Sequence, residues 1–268
     1  IEKGYSIKQG EDMDATIGGK EYGSLTHAVM KTAFTETDLP RLLENKNSDG
    51  AEAVLKEVAS SEFSQKGDLS QSGMWEASFS ACIPEIIELE LENWHEHKPC
   101  RHEVDFEFKL GDLTELDIDV PSIVEDIIIS GRIDRIDISL ENDNTYFVYD
   151  YKSGKPPSKK DVETNKDLQV QIYAIAVMLG KVPGLEKGNV KMGGYYRLEK
   201  NEVKIFPAVP LDKNILVNAG LVIIESAINA RNYSENFRLL NSEDWDKRDP
   251  GPCKYCHLKT TCRIEEVR

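Results

Sequence analysis

The stretch from Gly131 to Lys152, GRIDRIDISLENDNTYFVYDYK, constrains the fold of this chain more than any other. Two apolar runs rich in β-branched and aromatic residues flank a polar segment at 141–144, which predicts two strands joined in a β-hairpin. Side chains alternate between the faces of a strand, so Asp150 and Lys152 point to the same face. If Asp134 faces them from the partner strand, two carboxylates and an ammonium group meet at one place.

Charged side chains on a buried strand face are costly unless they bind a partner. Two Asp carboxylates and a backbone carbonyl oxygen, for which Tyr151 is the candidate, are the hard ligands that Mg²⁺ or Mn²⁺ prefers. Such an ion lowers the pKa of a bound water and neutralises charge on a phosphoryl group, while Lys152 would orient the hydroxide or stabilise the transition state. We therefore predict a metal site that acts on a phosphodiester. The competing interpretation is a surface hairpin with an ordinary Asp150–Lys152 ion pair.

The order of the other elements predicts the fold class. Helical spacing dominates before the hairpin, with a division or kink at Pro84, and strict alternation in EVDFEFKL marks the first strand. The predicted helices cover 23–34, 51–59, 71–97, 166–179 and 212–229, and the predicted strands cover 103–110, 123–139, 146–152, 190–198 and 202–206. This pattern predicts an α/β protein with a mixed central sheet flanked by helices. We expect one domain over 1–250 and a cysteine-containing tail, 251–268, packed on it.

Four further residues are candidates for the same site. Gln169 and Tyr173 are four positions apart on one helix face, where they would contact a phosphate or the attacking water. The imidazole of His27 is a good ligand for Mn²⁺, and Glu103 begins the alternating strand. Each has an ordinary alternative: the edge of an amphipathic helix for the first two, a structural or surface histidine for the third, and a solvated strand face for the fourth.

Charge gives a mixed indication about nucleic acid. The formal net charge is −15 at pH 7, whereas phosphate contacts require Lys and Arg. Binding follows local patches, however, and metal-binding carboxylates add to the negative total. The best local basic patch follows the hairpin and includes residues beside Asp134. It comprises Lys152, Lys155, Lys159, Lys160, Arg132 and Arg135. We predict that it binds a phosphate backbone, and a solvated loop is the alternative.

Three of the five cysteines, Cys253, Cys256 and Cys262, lie close together near the end of the chain with C-x2-C-x5-C spacing. This pattern predicts a metal or iron–sulfur clip, with zinc as the alternative to iron–sulfur. The candidates for a fourth ligand are Cys82, Cys100, His257 and a cysteine upstream of Ile1. An odd, clustered set of cysteines is typical of a reducing compartment, so we expect a cytoplasmic protein. Apolar runs are shorter than the roughly 20 residues that span a bilayer, so we expect no membrane partner.

Taken in order, six motifs resemble those of the RecB-type nucleases of the PD-(D/E)XK superfamily. They are G-x3-His, Glu, G-R-I-D-R-I-D, D-Y-K-S-G, Q-x3-Y and C-x2-C-x5-C, and they extend from Gly23 to Cys262 with no motif in 35–100. The chain is most similar to the AddB nuclease domain and to the iron–sulfur nucleases associated with CRISPR. The resemblance implies a restriction-endonuclease-like fold and a divalent-metal deoxyribonuclease that acts on single strands or DNA ends.

The resemblance also implies roles for individual residues. His27, Asp134 and Asp150 would bind the metal, Lys152 would be the catalytic lysine, and Asp137 would face away from the site. Gln169 and Tyr173 would form the motif that follows. Relatives with the cysteine tail have a fourth cysteine upstream of the His motif, which completes a [4Fe–4S] cluster. This sequence has no cysteine before His27, so the fourth ligand precedes Ile1 or the cluster is incomplete or replaced.

The expected activity is therefore that of a Mg²⁺- or Mn²⁺-dependent DNA exonuclease used in recombination or repair, with a helicase subunit or domain as its partner. The alternative is a catalytically silent DNA-binding or scaffolding module of a helicase–nuclease complex. The net charge of −15 favours the alternative, and the complete Asp/Asp/Lys set favours the enzyme.

Overall fold

The computed structural model describes residues 19–66 and 69–235. The chain forms two compact units, Ile1–Ile224 and Glu225–Arg268, and the sheet and the candidate site lie in the first. None of the helices in the described ranges is long and apolar enough to cross a membrane. The cysteines of the predicted clip, Cys253, Cys256 and Cys262, lie outside the described residues, as does His257.

Helices occupy the region before the sheet, as the apolar spacing predicts. They are α1 (Gly19–Glu36), α2 (Leu39–Glu44), α3 (Ser48–Lys66), α4 (Leu69–Ser80) and α5 (Ile83–Asn93). Pro84 lies in the first turn of α5, where its missing N–H breaks no helical hydrogen bond. The predicted division of the long helical pattern at this proline is therefore confirmed.

A five-stranded sheet follows, with strands in the order of the sequence. The strands are β1 (His97–Lys109), β2 (Ile128–Ser139), β3 (Thr145–Lys152), β4 (Asn189–Arg197) and β5 (Lys204–Pro210). The β1–β2, β2–β3 and β4–β5 pairs are antiparallel, whereas β3 and β4 are parallel. The mixed sheet flanked by helices is as predicted, and the β2–β3 pair is the predicted hairpin.

The remaining elements connect or cover the strands. A 3₁₀ helix, Leu110–Leu116, lies between β1 and β2, and α8 (Lys213–Glu235) follows β5. The parallel β3–β4 pair requires a crossover, which is provided by α6 (Lys159–Glu163) and α7 (Gln169–Met178). Because α7 packs on β3 and β4, it brings the polar residues of its first turn to the end of β3.

The main core lies between the sheet and the helices that precede it. Buried residues of α1, α2, α3 and α5 pack with Tyr151 of β3, Tyr196 of β4 and Leu198. The described core therefore holds α1 against the ends of β3 and β4. This packing positions the face of α1 that carries His27.

The prediction that Arg135 belongs to a surface basic patch is wrong. Its side chain is 1% exposed and forms ion pairs with Glu90 of α5 at 2.5 Å and Asp137 at 2.6 Å. Neighbouring residues of a strand face opposite sides, so Arg135 and Asp137 point away from Asp134. Asp137 also contacts His97 of β1 at 2.8 Å. The second Asp of the hairpin motif thus belongs to a buried ion-pair network, not to the candidate site.

Candidate active site

The strand register places three acidic side chains in one row. Glu103 in β1 is opposite Asp134 in β2, because the residues before and after it, His102 and Val104, are paired with Arg135 and Ile133. Asp134 is in turn opposite Asp150 of β3, one step beyond the Arg135–Tyr149 pair. Directly opposed residues on neighbouring strands have Cβ atoms about 4.5–5.5 Å apart, and like charges at that spacing repel. This row therefore needs positive charge.

His27 of α1 lies against this row. Its Nδ1 atom is 3.1 Å from Glu103 Oε1 and 3.6 Å from Asp134 Oδ2, and its Nε2 atom is 3.1 Å from the carbonyl oxygen of Tyr151. Both ring nitrogens thus face acceptors, which suits the doubly protonated imidazolium. Burial alone would lower the pKa of His27, but the nearby carboxylates, chiefly that of Asp134, outweigh burial and raise the pKa to about 9.

Asp150 is held by the first turns of α7 and by the lysine two residues later. Gln169 Nε2 donates a hydrogen bond to Asp150 Oδ1, and Tyr173 OH donates to the same oxygen at 3.3 Å. Lys152 Nζ lies 3.1 Å from Asp150 Oδ2 and donates to Gln169 Oε1 at 3.3 Å. The structure therefore brings together all four residues of the D-x-K and Q-x3-Y motifs.

Both buried aspartates carry a raised pKa. Asp134 is 6% exposed and Asp150 is 2% exposed. Burial is the main cause for each, and the charge of Asp150 further raises the pKa of Asp134. Lys152 and His27 lower the pKa of Asp150 without cancelling the effect of burial. Two buried carboxylates that resist ionisation together favour a bound cation.

The residues present fit a divalent cation. Ligand atoms of His27, Glu103 and Asp134 all lie within 4.8 Å of one another. The surrounding donors are carboxylate oxygens, the Tyr151 carbonyl oxygen and one imidazole, a set that suits Mg²⁺ or Mn²⁺ better than a soft metal. The protonated His27 supplies positive charge to the same donors and would have to lose a proton to become a ligand.

One candidate ligand has an unusual backbone. Glu103 has φ = 46°, in the left-handed region that non-glycine residues seldom adopt. The ladder continues in the same register on both sides, so this conformation is confined to one residue. It interrupts the alternation of β1 at the position that faces Asp134.

Two contacts of the site were missed by sequence reasoning. Tyr195 of β4 is paired with Asp150 across the parallel ladder, and the face of its ring lies 5.8 Å from Lys152 Nζ. Its hydroxyl donates a hydrogen bond to Asp167, which precedes α7. No local pattern signals these contacts because they depend on the parallel pairing of β3 with β4.

The predicted DNA-binding residues lie near the end of β3 or beside the row. Arg132 forms an ion pair with Asp105 at 2.7 Å and is 4.0 Å from Glu103. Lys155 is exposed beyond β3, and Lys159 and Lys160 are exposed at the start of α6. Their role in DNA binding remains a prediction.

The two described candidates for a fourth cysteine-cluster ligand are both outside disulfides. Cys82 is buried before α5 and Cys100 is half-buried in β1. Burial raises the pKa of Cys82 to about 11 and that of Cys100 to about 12, so both thiols are protonated at neutral pH. The fourth ligand remains unassigned.

Comparison with known proteins gives one family. The family model described as the PD-(D/E)XK nuclease superfamily matches residues 2–263. No curated protein matches the chain. The matched range includes the whole sheet and every residue of the acidic row.

Proposed function

Because the chain belongs to the PD-(D/E)XK nuclease superfamily, we propose that it is a divalent-metal-dependent deoxyribonuclease, specifically an exonuclease acting on single strands or DNA ends. One observation carries the proposal. Three strands place Glu103, Asp134 and Asp150 in a row, and Lys152 and His27 contact that row. This arrangement combines anionic metal ligands with a cation suited to a phosphoryl group.

Mg²⁺ or Mn²⁺ bound by Asp134, Asp150, His27 and Glu103 would supply charge neutralisation and a water of lowered pKa. The protein's own contribution is to present these ligands already placed by strand register. Because Asp134 accepts a hydrogen bond from the backbone N–H of Tyr151 at 2.9 Å, its carboxylate is fixed relative to β3. This contact also directs the Tyr151 carbonyl oxygen, which lies near His27.

Lys152 is the residue proposed to act on the reacting phosphate. Its ammonium group is held by Asp150 Oδ2, Gln169 Oε1 and the ring face of Tyr195. Restraint of this kind directs a fixed positive charge towards the charge that develops on phosphate oxygens or the attacking hydroxide. Gln169 and Tyr173 restrain the other oxygen of Asp150, so they position the carboxylate rather than react.

The finer assignments rest on the motif pattern. We propose that the chain is a RecB/AddB-type nuclease that acts in DNA recombination or repair, with a helicase subunit or domain as its partner. We also propose a cytoplasmic location and a [4Fe–4S] cluster on Cys253, Cys256 and Cys262, with Zn²⁺ as the alternative. The absorbance of anaerobically purified protein distinguishes the cluster from zinc, because an iron–sulfur protein absorbs broadly in the visible range and a zinc protein is colourless.

The activity is tested with end-labelled linear, circular and single-stranded DNA in the presence of Mg²⁺ or Mn²⁺. We expect metal-dependent release of label from linear or single-stranded DNA, with circular duplex left intact. Cleavage of circular duplex would contradict the exonuclease assignment but not the nuclease. DNA binding without cleavage under every metal condition would favour the catalytically silent module.

A further inference from the structure

A groove beside the candidate active site takes no part in the chemistry proposed above. It has a volume of about 610 Å³ and lies between α1, α4 and the residues that follow β3 and β4. Its walls include Tyr22, Ser78, Ser153, Lys155, Arg197 and Lys200. The lining thus combines three cations with hydroxyl groups, one aromatic ring and one carboxylate, that of Glu199.

The groove begins one residue beyond the catalytic lysine. Ser153 lines it directly after Lys152, and the backbone N–H of Leu198 donates to the carbonyl oxygen of Lys152 at 2.8 Å. Helix α1 contributes to both the groove and the active site, because its Tyr22 lines the groove and its His27 contacts the acidic row. Five residues of α-helix correspond to about 7.5 Å along its axis. A ligand at the site therefore meets the groove within a short distance.

The charge of the groove is opposite to that of the whole chain. Arg197 is ion-paired with Glu199 and Glu202. Lys155 and Lys200, in contrast, are exposed and form no ion pair with any described residue. Because Glu199, the one carboxylate of the lining, is paired with Arg197, the two lysines leave the groove with an excess of positive charge in a chain of net charge −15. Such a local excess favours an anion.

We propose that this groove binds a short unpaired segment of the DNA strand on one side of the reacting phosphate. Lys155 and Lys200 contact the backbone. The ring of Tyr22 is half-buried against Phe63 and Trp75, and its remaining exposed part lies against a base. This inference rests on the proposed nuclease function and adds the path of the strand and the residues that hold it.

The dimensions favour a single strand over a duplex. A cavity of this volume is within the range of about 300–1,000 Å³ that accommodates small molecules, which suits individual nucleotides. Asp134 and Asp150 are nearly fully buried, so the reacting phosphate has to enter between protein walls. A flexible strand can do so without a second strand alongside. A positive groove with an aromatic platform is also the usual means of gripping single strands.

Binding is tested by fluorescence anisotropy with a labelled single-stranded oligodeoxythymidine, in a metal chelator so that no cleavage occurs. The groove variant is Lys155→Ala/Lys200→Ala. The matched control, Lys187→Ala/Lys191→Ala, removes the same charge from two exposed lysines at the opposite end of β4. Each protein is titrated between about 50 and 200 mM salt.

The groove variant should bind more weakly than wild type, with the slope of log K against log salt reduced by about 1.4, or about 0.7 for each lost phosphate contact. The control should keep the wild-type slope. Equal salt-dependence slopes for the two variants, or no binding of the oligonucleotide by the wild-type protein, would contradict the proposal that the groove binds DNA.

Failure of the groove is distinguishable from failure of the nuclease. If the wild-type protein binds DNA through the groove but cleaves none, the groove proposal stands and the nuclease proposal fails. If the wild-type protein cleaves DNA but the two double variants bind DNA equally well, the nuclease proposal stands and the groove proposal fails.

Discussion

Glu103 has an unfavourable backbone conformation, yet its side chain is a candidate metal ligand. A left-handed φ costs an L-residue about 1–2 kcal/mol, and the carboxylate also faces Asp134. Glu103→Gly and Glu103→Ala both remove the carboxylate that pairs with Nδ1 of His27, so the difference between them reports on the backbone. In the metal-free protein the glycine variant should have the higher unfolding free energy, by about 0.5–1 kcal/mol, because strain relief exceeds the chain-entropy cost of glycine. Metal affinity should fall. Urea denaturation and calorimetric Mn²⁺ titration measure the two effects.

Glu107→Gly is the matched control for this substitution. Glu107 is exposed in the same strand and is absent from the described residues with positive φ. There the glycine variant should have a lower unfolding free energy than Glu107→Ala, by about 0.5–1 kcal/mol. A glycine variant that is less stable than the alanine variant at both positions would show that Glu103 is not strained.

His102 predicts acid sensitivity of the fold. Its ring stacks on Phe34 with centroids 5.0 Å apart, and neither ring nitrogen has a hydrogen-bond partner among the described residues. Burial, aided by Arg135, lowers the pKa of His102 to about 3. Between about pH 6.5 and pH 3, His102 is therefore protonated in the unfolded chain but neutral in the folded protein.

The contribution of His102 to stability should accordingly be complete above pH 6.5 and fall as the pH drops towards 3, by up to about 1.4 kcal/mol per pH unit. His102→Phe should flatten this dependence in urea denaturation series, while the exposed His95→Phe should not. If His102→Phe leaves the slope unchanged, the histidine is protonated in the folded protein.

At the residue scale, spacing in the sequence grouped two pairs of residues of the candidate site. Asp150 and Lys152 alternate on one strand, and Gln169 and Tyr173 share a helix face, so local periodicity alone groups each pair. It cannot supply partners from another strand. Tyr195 was missed for that reason, and Arg135 was misplaced because charge alone does not reveal which strand face is buried.

At the scale of elements, the ion-pair network ties β2 to α5. Arg135 contacts Glu90 and Asp137, and Tyr196 of β4 also donates to Glu90 at 2.9 Å. Arg135→Met leaves two buried carboxylates uncompensated and should lower the unfolding free energy by about 3–5 kcal/mol. Denaturation by urea measures this loss.

A second variant separates lost charge compensation from lost packing. Adding Glu90→Gln and Asp137→Asn to Arg135→Met removes the buried charges and should recover much of the stability. A single variant that loses less than about 1 kcal/mol, or a triple variant that recovers none, would mean that the network is not electrostatically coupled.

Element type was easier to predict than element boundaries. Strict alternation located β1 from Glu103, but the strand begins at His97. The segment HKPCR is polar and lacks alternation, and it becomes a strand by pairing with the end of β2 across a register shift after Pro99. Pairing of this kind depends on the partner strand, so no local pattern reports it.

At the scale of the whole molecule, net charge misleads about function. A total of −15 disfavours nucleic acid, yet part of the negative charge lies in the row that fits a cation. A divalent metal should therefore stabilise the protein, by about 2.7 kcal/mol at 100 times its Kd. Thermal unfolding with Mn²⁺ measures this gain. Asp134→Asn should lose it, and an equal gain in that variant would place the metal elsewhere.

The central claim is that the acidic row and Lys152 form one nuclease centre, and Lys152→Ala tests it most directly. Single-turnover cleavage of end-labelled single-stranded DNA with Mg²⁺ or Mn²⁺ is measured for wild type, Lys152→Ala and the control Lys187→Ala. We predict metal-dependent cleavage by wild type and the control and none by Lys152→Ala, whose thermal unfolding should remain cooperative. Cleavage by Lys152→Ala at the wild-type rate would contradict the account.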